Sequence, residues 1–578
     1  MADESPAQSP KFIRTLTLKF GPSTASAPLG LDVTGTTVFV GPNNSGKSLV
    51  LREIEQYVTA YPAPRLKIVS ALVPNFPDPA LARRLLDARQ INTSPTDVAD
   101  GHIRIGRQLP AQGTLQQWDI PESHMVSSLA EAWTKQSQGQ DLRNVWAGVF
   151  SHFVASYLIT LDGRTRFGLT DQRGQGDLLM PAQNHLAALF KDDTARVKLR
   201  GLIHNAFGVH LVVDPTNTGM VRLRMSPRPP TDAAEEQNGN QRARDFHAGA
   251  TPIEEFSDGV RSYTGILSAL VSSDFRLILI DEPEAFLHPP LARTLGRTMT
   301  QLAKERSANV FASTHSAHFL VGCLDSGVPL NVVRLTYESG IATARLLPSD
   351  RITTLMRDPL LRSTNVLSAL FHKGAVVAEG DSDRAFYDEI NQRLQNAALP
   401  AVIDSAFLNA QNKSTIRRIV EPLRSMGIPA VAIVDFDIIK RRDLNDLLKV
   451  CSVPSAVIAA LTALCGRVRE IYERDFPHLK NGGWRLDLLK GSEKQSCEFL
   501  LDQLEAYGVF VVPNGEVQSW LGYLNVVAAK ENWLSAIFER LGSDPEASDY
   551  VAPAAGDVWE FLGRVATWIA DPERYGMP

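Results

Sequence analysis

The sequence predicts an α/β chain built from two successive strand–helix series. Three observations carry that reading. A short β-branched run, Thr36–Val40, passes directly into a glycine-rich loop and then an amphipathic stretch, Ser48–Val58, the pattern of a buried strand, a tight turn and a helix. A second apolar run, Arg276–Ile280, ends in Asp281-Glu282. A new series opens at Ala375–Ala378 and again sets acidic residues directly after apolar runs, where open α/β sheets gather their sites.

Phe12–Phe20 alternates apolar and polar residues and reads as a strand; Thr36–Val40 reads as a buried one. From about 62 to 249 the chain shows helical patches, Leu81–Arg89 and Gln183–Phe190, and no repeat; a helical insertion or dimerisation region is expected there. Within it, 224–249 is rich in Pro, Asp, Glu, Asn, Gln and Arg and reads as a flexible, solvated loop. Strong patterning resumes at Pro252 and lasts to His318. The boundary is expected between residues 365 and 372, giving domains 1–365 and 372–578. The second is expected to hold a helical insert at about 440–500 and C-terminal helices.

Composition narrows the class. The 578 residues suffice for several cores, and 44% hydrophobic with 21% charged residues is ordinary globular usage. With Gly at 39 and Pro at 35, a collagenous or mostly disordered chain is excluded. Cysteines at 323, 451, 465 and 497 form no C-x-x-C pair. That excludes a cysteine-rich zinc module or disulfide scaffold and points to the reducing cytoplasm. Met1–Pro10 is acidic and polar, which argues against a signal peptide, and the apolar run Val453–Cys465 is too short to cross a bilayer. With a net charge of −5, any nucleic-acid contact must rest on local patches.

Gly41-Pro-Asn-Asn-Ser-Gly46-Lys47-Ser48 fits G-x-x-x-x-G-K-[ST], with a strand before it and a helix after it. Gly41, Asn44 and Gly46 shape a loop whose N–H groups face phosphates, and Lys47 supplies a charge near the β- and γ-phosphates. The Ser48 hydroxyl reaches Mg²⁺, and Asp281 would hold the same ion. Glu282 would orient or deprotonate the attacking water. His315, in Phe311-Ala-Ser-Thr-His315-Ser316, falls at a strand end within reach of a γ-phosphate. Upstream, Phe256-Ser257-Asp258-Gly259-Val260-Arg261 offers a helix cap and a glycine that lets an anion approach.

In that order the four motifs resemble the ABC-type ATPase heads of the SMC, RecF and OLD proteins. The resemblance implies ATP with Mg²⁺ as cofactor, and an ATP site completed by Ser257 and Gly259 of a second copy, hence a homodimer or higher homo-oligomer through the heads. The family's Q-loop has no assigned position; Gln117 is one candidate. No long heptad run precedes the signature, so no long coiled-coil arm is expected.

In the second series, Glu379 follows the strand Ala375–Ala378 and precedes Gly380-Asp381-Ser382-Asp383. Pro429–Val434 ends in Asp435-Phe436-Asp437. At period two the two aspartates face the same way and repel unless a cation sits between them. Val509–Val512 leads into Glu516. This combination resembles a Toprim domain, and its fusion to an ABC-type head resembles the OLD family of ATP-dependent endonucleases. That resemblance implies a Rossmann-like parallel sheet. Glu379 would be the acid/base or metal carboxylate, Asp383 its helix-borne partner, and Asp435, Asp437 and Glu516 further ligands for Mg²⁺ or Mn²⁺. Lys530 would steady the pentavalent phosphate. It also implies DNA as substrate, with a role in antiviral or genome-conflict defence alongside a possible partner defence protein. Two departures stand out: Gln518 takes the place of a second glutamate, and the family's glycine-glycine-lysine turn is blurred to Asn409-Ala-Gln-Asn-Lys413. Lys440-Arg441-Arg442 could hold a DNA backbone. The alternative reading is a RecF- or SMC-like DNA-binding ATPase with a non-catalytic Toprim module.

Overall fold

A computed structural model describes residues 11–60, 65–91, 98–109, 114–142, 149–272, 275–359, 361, 366–440, 443–479 and 483–577. The chain forms two compact units, Met1–Asp350 and Arg351–Pro578. The division falls ahead of the 365–372 boundary expected from sequence.

The first unit is built on a sheet of β1 (Thr36–Val40), β2 (Leu158–Leu161), β3 (Leu277–Asp281), β4 (Asn309–Ser313), β5 (Leu330–Glu338) and β6 (Ile341–Leu347). Their order is β6-β5-β1-β4-β3-β2. Only the β5–β6 hairpin is antiparallel. Every side chain of β1 and β4 is buried, which is why these runs read as continuously apolar rather than alternating. The register pairs Phe39 with Ser313 and Ser313 with Asp281. The C-terminal ends of β1, β3 and β4 therefore meet at one edge. A small antiparallel sheet of Ile13–Leu18, Gly30–Asp32 and Val69–Pro74 packs with the helix Lys47–Thr59 into a shared core that includes Phe12, Phe39, Ile54 and Phe311.

The 62–249 stretch departs from expectation in two ways. It carries helices, among them Pro79–Asp87 and His185–Lys191, but also strands, and β2 from this stretch forms an edge of the central sheet. Nor is 224–249 a solvated loop. It holds the end of the strand Met220–Ser226 and the helices Ala233–Gln237 and Gln241–Ala248. Its buried charges are paired. Buried Glu236 accepts from Arg196 at 2.9 Å, Arg200 at 2.6 Å and the Val213 N–H at 3.0 Å. Buried Asp214 accepts from both Arg222 and Arg224 at 2.7 Å. Asp232 and Asn240 cap the two helices.

The second unit has a four-stranded parallel sheet of β7 (Gly374–Ala378), β8 (Ser405–Asn409), β9 (Ala430–Val434) and β10 (Val509–Val511), in the order β8-β7-β9-β10. Helices Asp443–Val450, Ser455–Asp475 and Gly491–Glu505 lie in sequence between β9 and β10. The C-terminal helices Trp533–Leu541 and Asp557–Ala570 pack with Asp381–Asn396 around Phe386, Phe510 and Phe561. The apolar run Val453–Cys465 enters an amphipathic helix; among the described residues no helix is long and apolar enough to cross a membrane.

Candidate functional site

In the first unit the site forms where β1, β3 and β4 end. Gly41 has φ 140°, and a Cβ there would lie 2.0 Å from the Leu335 carbonyl oxygen of β5, so only glycine lets the loop turn against that strand. Gly46 takes φ 94° at the N-cap of Lys47–Thr59, with Ile68 filling the space of a side chain. Lys47 is buried and donates to the carbonyls of Gly41 and Pro42 at 2.8 and 2.7 Å, which holds the loop closed around its own ammonium. The Ser48 hydroxyl donates to Asp281 Oδ1 at 2.9 Å, and the Ser313 hydroxyl donates to the same oxygen. Three oxygen groups of the hard-cation type thus gather at one point.

Glu282 adopts φ 50° and its carboxylate lies 3.7 Å from His315 Nε2. Glu284 is half-buried; loss of solvent around it pushes its pKa up, and its Oε1 accepts the His315 N–H at 2.9 Å. The Asp-Glu strand end and the histidine turn are therefore one assembly. A cleft of about 510 Å³ is lined by Phe20, Asn44–Leu49, Lys67, His315 and Tyr337. A second of similar size is lined by Ser48, Arg52, Arg107 and Asp281. Ser257 is exposed at the N-cap of Asp258–Val271. Neither it nor Gly259 lines either cleft. Gln117 is exposed on the strand Thr114–Pro121 and lines neither cleft.

Two further residues shape this site. Glu53, an acid on the buried face of Lys47–Thr59, accepts the N–H groups of Lys67, Ile68 and Val69 at 2.7, 2.8 and 2.8 Å and so fixes one cleft wall. Its only local signal is a charge among apolar helix positions. Arg166, fully buried, donates to the carbonyls of Asp281 at 2.7 Å and Glu282 at 3.0 Å. Nothing in the sequence around it marks that role.

In the second unit the acidic residues converge at the C-terminal ends of β7 and β9. Glu379 Oε1 accepts the Asp435 N–H at 2.8 Å. Lys413 Nζ lies 3.5 Å from Glu379, 3.3 Å from Asp435, and in contact with Asp437. Asp383 accepts the Gly380 N–H at 2.8 Å and so ties the strand–helix turn. Glu516 pairs with Lys530 at 2.8 Å, and the Lys530 charge also acts on Asp435 and Asp383. Burial, with Asp435 beside it, pushes Glu379 up to about 8; burial pushes Asp435 up to about 6 against the pull of Lys413. Asp383 is raised by burial.

The donor chemistry suits a hard divalent ion. Among the described residues, however, no group of three or more His, Cys, Asp or Glu is disposed as a metal cage. The inner carboxylates are organised around the Lys413 ammonium instead. Lys440 lies over the Trp484 ring, 3.8 Å from its centroid; Arg441 and Arg442 fall outside the described residues.

These shifts predict a pH dependence for the metal-free protein. A carboxyl group raised on folding binds its proton more tightly in the folded state, so stability is full below its unfolded pKa and is lost as pH rises through the folded one. Melting of the second unit in chelator should therefore fall between the ordinary carboxylate range and about 8. Calorimetry across that range checks it; a flat profile would mean the carboxylates are not strained.

Comparison with known families agrees with both halves. Residues 224–321 match the model described as "AAA domain, putative AbiEii toxin, Type IV TA system". Residues 370–437 match "Overcoming lysogenization defect protein-like, TOPRIM domain". The chain joins an ATPase domain to an OLD-like Toprim domain. It is 26% identical over 171 residues to the Old nuclease of Escherichia phage P2, covering 28% of each chain. It is 25% identical over 199 residues to the OLD nuclease of Thermus scotoductus, covering 32% of this chain and 36% of that one. The matched stretch is thus well under two thirds of either relative. A solved SMC head bound to the C-terminal winged-helix domain of ScpA aligns at TM-score 0.33 and 11% identity, over 59% of this chain and 99% of that one.

Proposed function

We propose that this ATPase–Toprim protein is an ATP-dependent, divalent-metal-dependent DNA endonuclease of the OLD type. The observation that carries the reading is the meeting of Glu379, Asp435 and Asp437 from two parallel strands, with Asp383 and Glu516 near enough to act on them electrostatically. Glu379, Asp383, Asp435, Asp437 and Glu516 would hold Mg²⁺ or Mn²⁺. Such an ion offsets charge on the phosphodiester and lowers the pKa of a bound water. Glu379 would serve as the acid/base or as a metal carboxylate. Lys530, exposed beside Glu516, is free to turn toward a phosphate.

In the ATPase unit Gly41, Asn44, Gly46 and Lys47 would cradle the phosphates, while Ser48 and Asp281 hold Mg²⁺. Glu282 would orient water, with His315 close beside it. The exposed Ser257, with Gly259 two residues on, fits a role on the ATP of a second copy, so the working form would be a homodimer or larger. Free, buried cysteines suit the cytoplasm, and defence against phage is the setting this chemistry fits, with or without a partner protein. The direct test is supercoiled plasmid with ATP and Mn²⁺: the wild-type chain should nick it.

Gln518 favours one rival, a DNA-binding ATPase whose Toprim module does not cut. Intact ATP hydrolysis without nicking under any divalent ion would establish it.

The cleft makes a further prediction. β5 abuts Gly41 through Leu335, and its Tyr337, 50% exposed, lines the cleft together with Ile68 and Lys67. An adenine base stacked there would gain about 1 kcal/mol, or about fivefold in affinity. Tyr337→Ala should raise the KM for ATP by that factor and leave kcat unchanged, and Tyr337→Phe should restore it. Equal loss in both variants would point to the hydroxyl rather than the ring.

A further inference from the structure

The position of Lys413 has no local explanation. It is the first residue of the helix Lys413–Ser425, capped by Asn412, whose side chain accepts the Thr415 N–H at 3.1 Å. A helix N-terminus carries partial positive charge and disfavours a cation. The turn before it is tied down: the Ala410 N–H donates to the Ala378 carbonyl at 2.9 Å, at the end of the strand that leads to Glu379. The lysine side chain is 13% exposed, and the carboxylates of Glu379, Asp435 and Asp437 are 12%, 20% and 31% exposed. Without a cation among them, three such half-buried carboxylates would repel strongly. Lys530 does not fill this role, since its ammonium is paired with Glu516 at the rim.

We propose that Lys413 is an internal counter-cation of the Toprim site, which a divalent ion must displace from Glu379, Asp435 and Asp437 before it can bind. This rests on the nuclease reading and adds a threshold to it. The carboxylates stay in register without metal because the ammonium holds them. Metal loading then exchanges one cation for another, and the lysine swings outward on its flexible four-carbon stem. The free metal concentration at which the site fills is set by that exchange rather than by the carboxylates alone.

The test is Mn²⁺ binding to the full chain without nucleotide, followed by calorimetry, with Asp435→Asn reporting any binding elsewhere. Lys413→Met should bind Mn²⁺ at least about tenfold more tightly than wild type, since the competing cation is gone. Lys413→Arg, which keeps the charge, should stay within about twofold of wild type. Equal or weaker binding by Lys413→Met would overturn the proposal while leaving the nuclease reading intact. If wild type binds no more Mn²⁺ than Asp435→Asn, both fail. A second measurement needs no variant. Amine-reactive labelling of the wild-type chain, read by mass spectrometry, should find Lys413 protected in chelator and reactive with Mn²⁺, against the exposed Lys449 as reference. Protection that persists or deepens with metal would also overturn the exchange.

Discussion

Asp435→Asn should abolish metal-dependent nicking while ATP hydrolysis continues. Asparagine keeps the shape of the side chain and the backbone N–H that Glu379 accepts at 2.8 Å, so the strand end should not rearrange. What is lost is a negative charge that a divalent ion needs. A group that merely supports a metal ligand costs roughly 10–100-fold when removed; loss of a ligand in the inner cluster should exceed that, about a thousandfold in nicking rate. Stability should move the other way. Burial makes the charged form of Asp435 unfavourable in the fold, so the neutral amide should melt at the same temperature or higher in chelator, and the rise in melting temperature on adding Mn²⁺ should shrink. A variant that still nicks at the wild-type rate would remove Asp435 from the chemistry. One that melts several degrees lower would show that the aspartate serves the fold instead.

Residues that a site needs and residues that a fold needs leave different marks in a sequence. The P-loop, the Asp-Glu strand end and Glu379 were legible because each is a local pattern, an apolar strand followed by a fixed turn chemistry. β1 and β9 were legible for the same reason, since their five residues are all buried. The stretch 224–249 was misread because its composition is that of a solvated segment, while its buried carboxylates are matched to arginines, Glu235 to nearby Arg228 and Glu236 to the distant Arg196 and Arg200. Composition reports how much charge a segment holds and says nothing about whether that charge is neutralised. Lys413 shows the same blindness at the site itself. As sequence it was a departure from a family turn; in the fold it is a cation within reach of three acids.

Arg166 is the most consequential residue that no local pattern announces, and its removal should cost both stability and turnover. After Asp281 the chain leaves the sheet, and Glu282 takes a left-handed φ of 50°. The carbonyls of Asp281, Glu282 and Pro283 then face the interior, where the Arg166 guanidinium donates to them at 2.7, 3.0 and 3.4 Å and its Nε donates to the Asp162 carbonyl at 2.8 Å. Gly265 allows that approach: a Cβ there would lie 2.5 Å from the Arg166 carbonyl oxygen. Arg166→Met fills similar space and strands several buried acceptors, each costing about 1–3 kcal/mol. The first unit should therefore lose about 3–5 kcal/mol against denaturant. Arg166→Lys should not restore it, because a single ammonium cannot reproduce the planar fork. The kinetic signature separates positioning from general unfolding. Lys47 and Ser48 stand on another element, so the KM for ATP should hold in the folded fraction, while kcat falls about a hundredfold as Glu282 loses its fixed backbone. If KM rises with kcat unchanged, Arg166 supports nucleotide binding instead; if neither moves and stability falls by less than about 1 kcal/mol, the carbonyls have found other donors and the residue is dispensable.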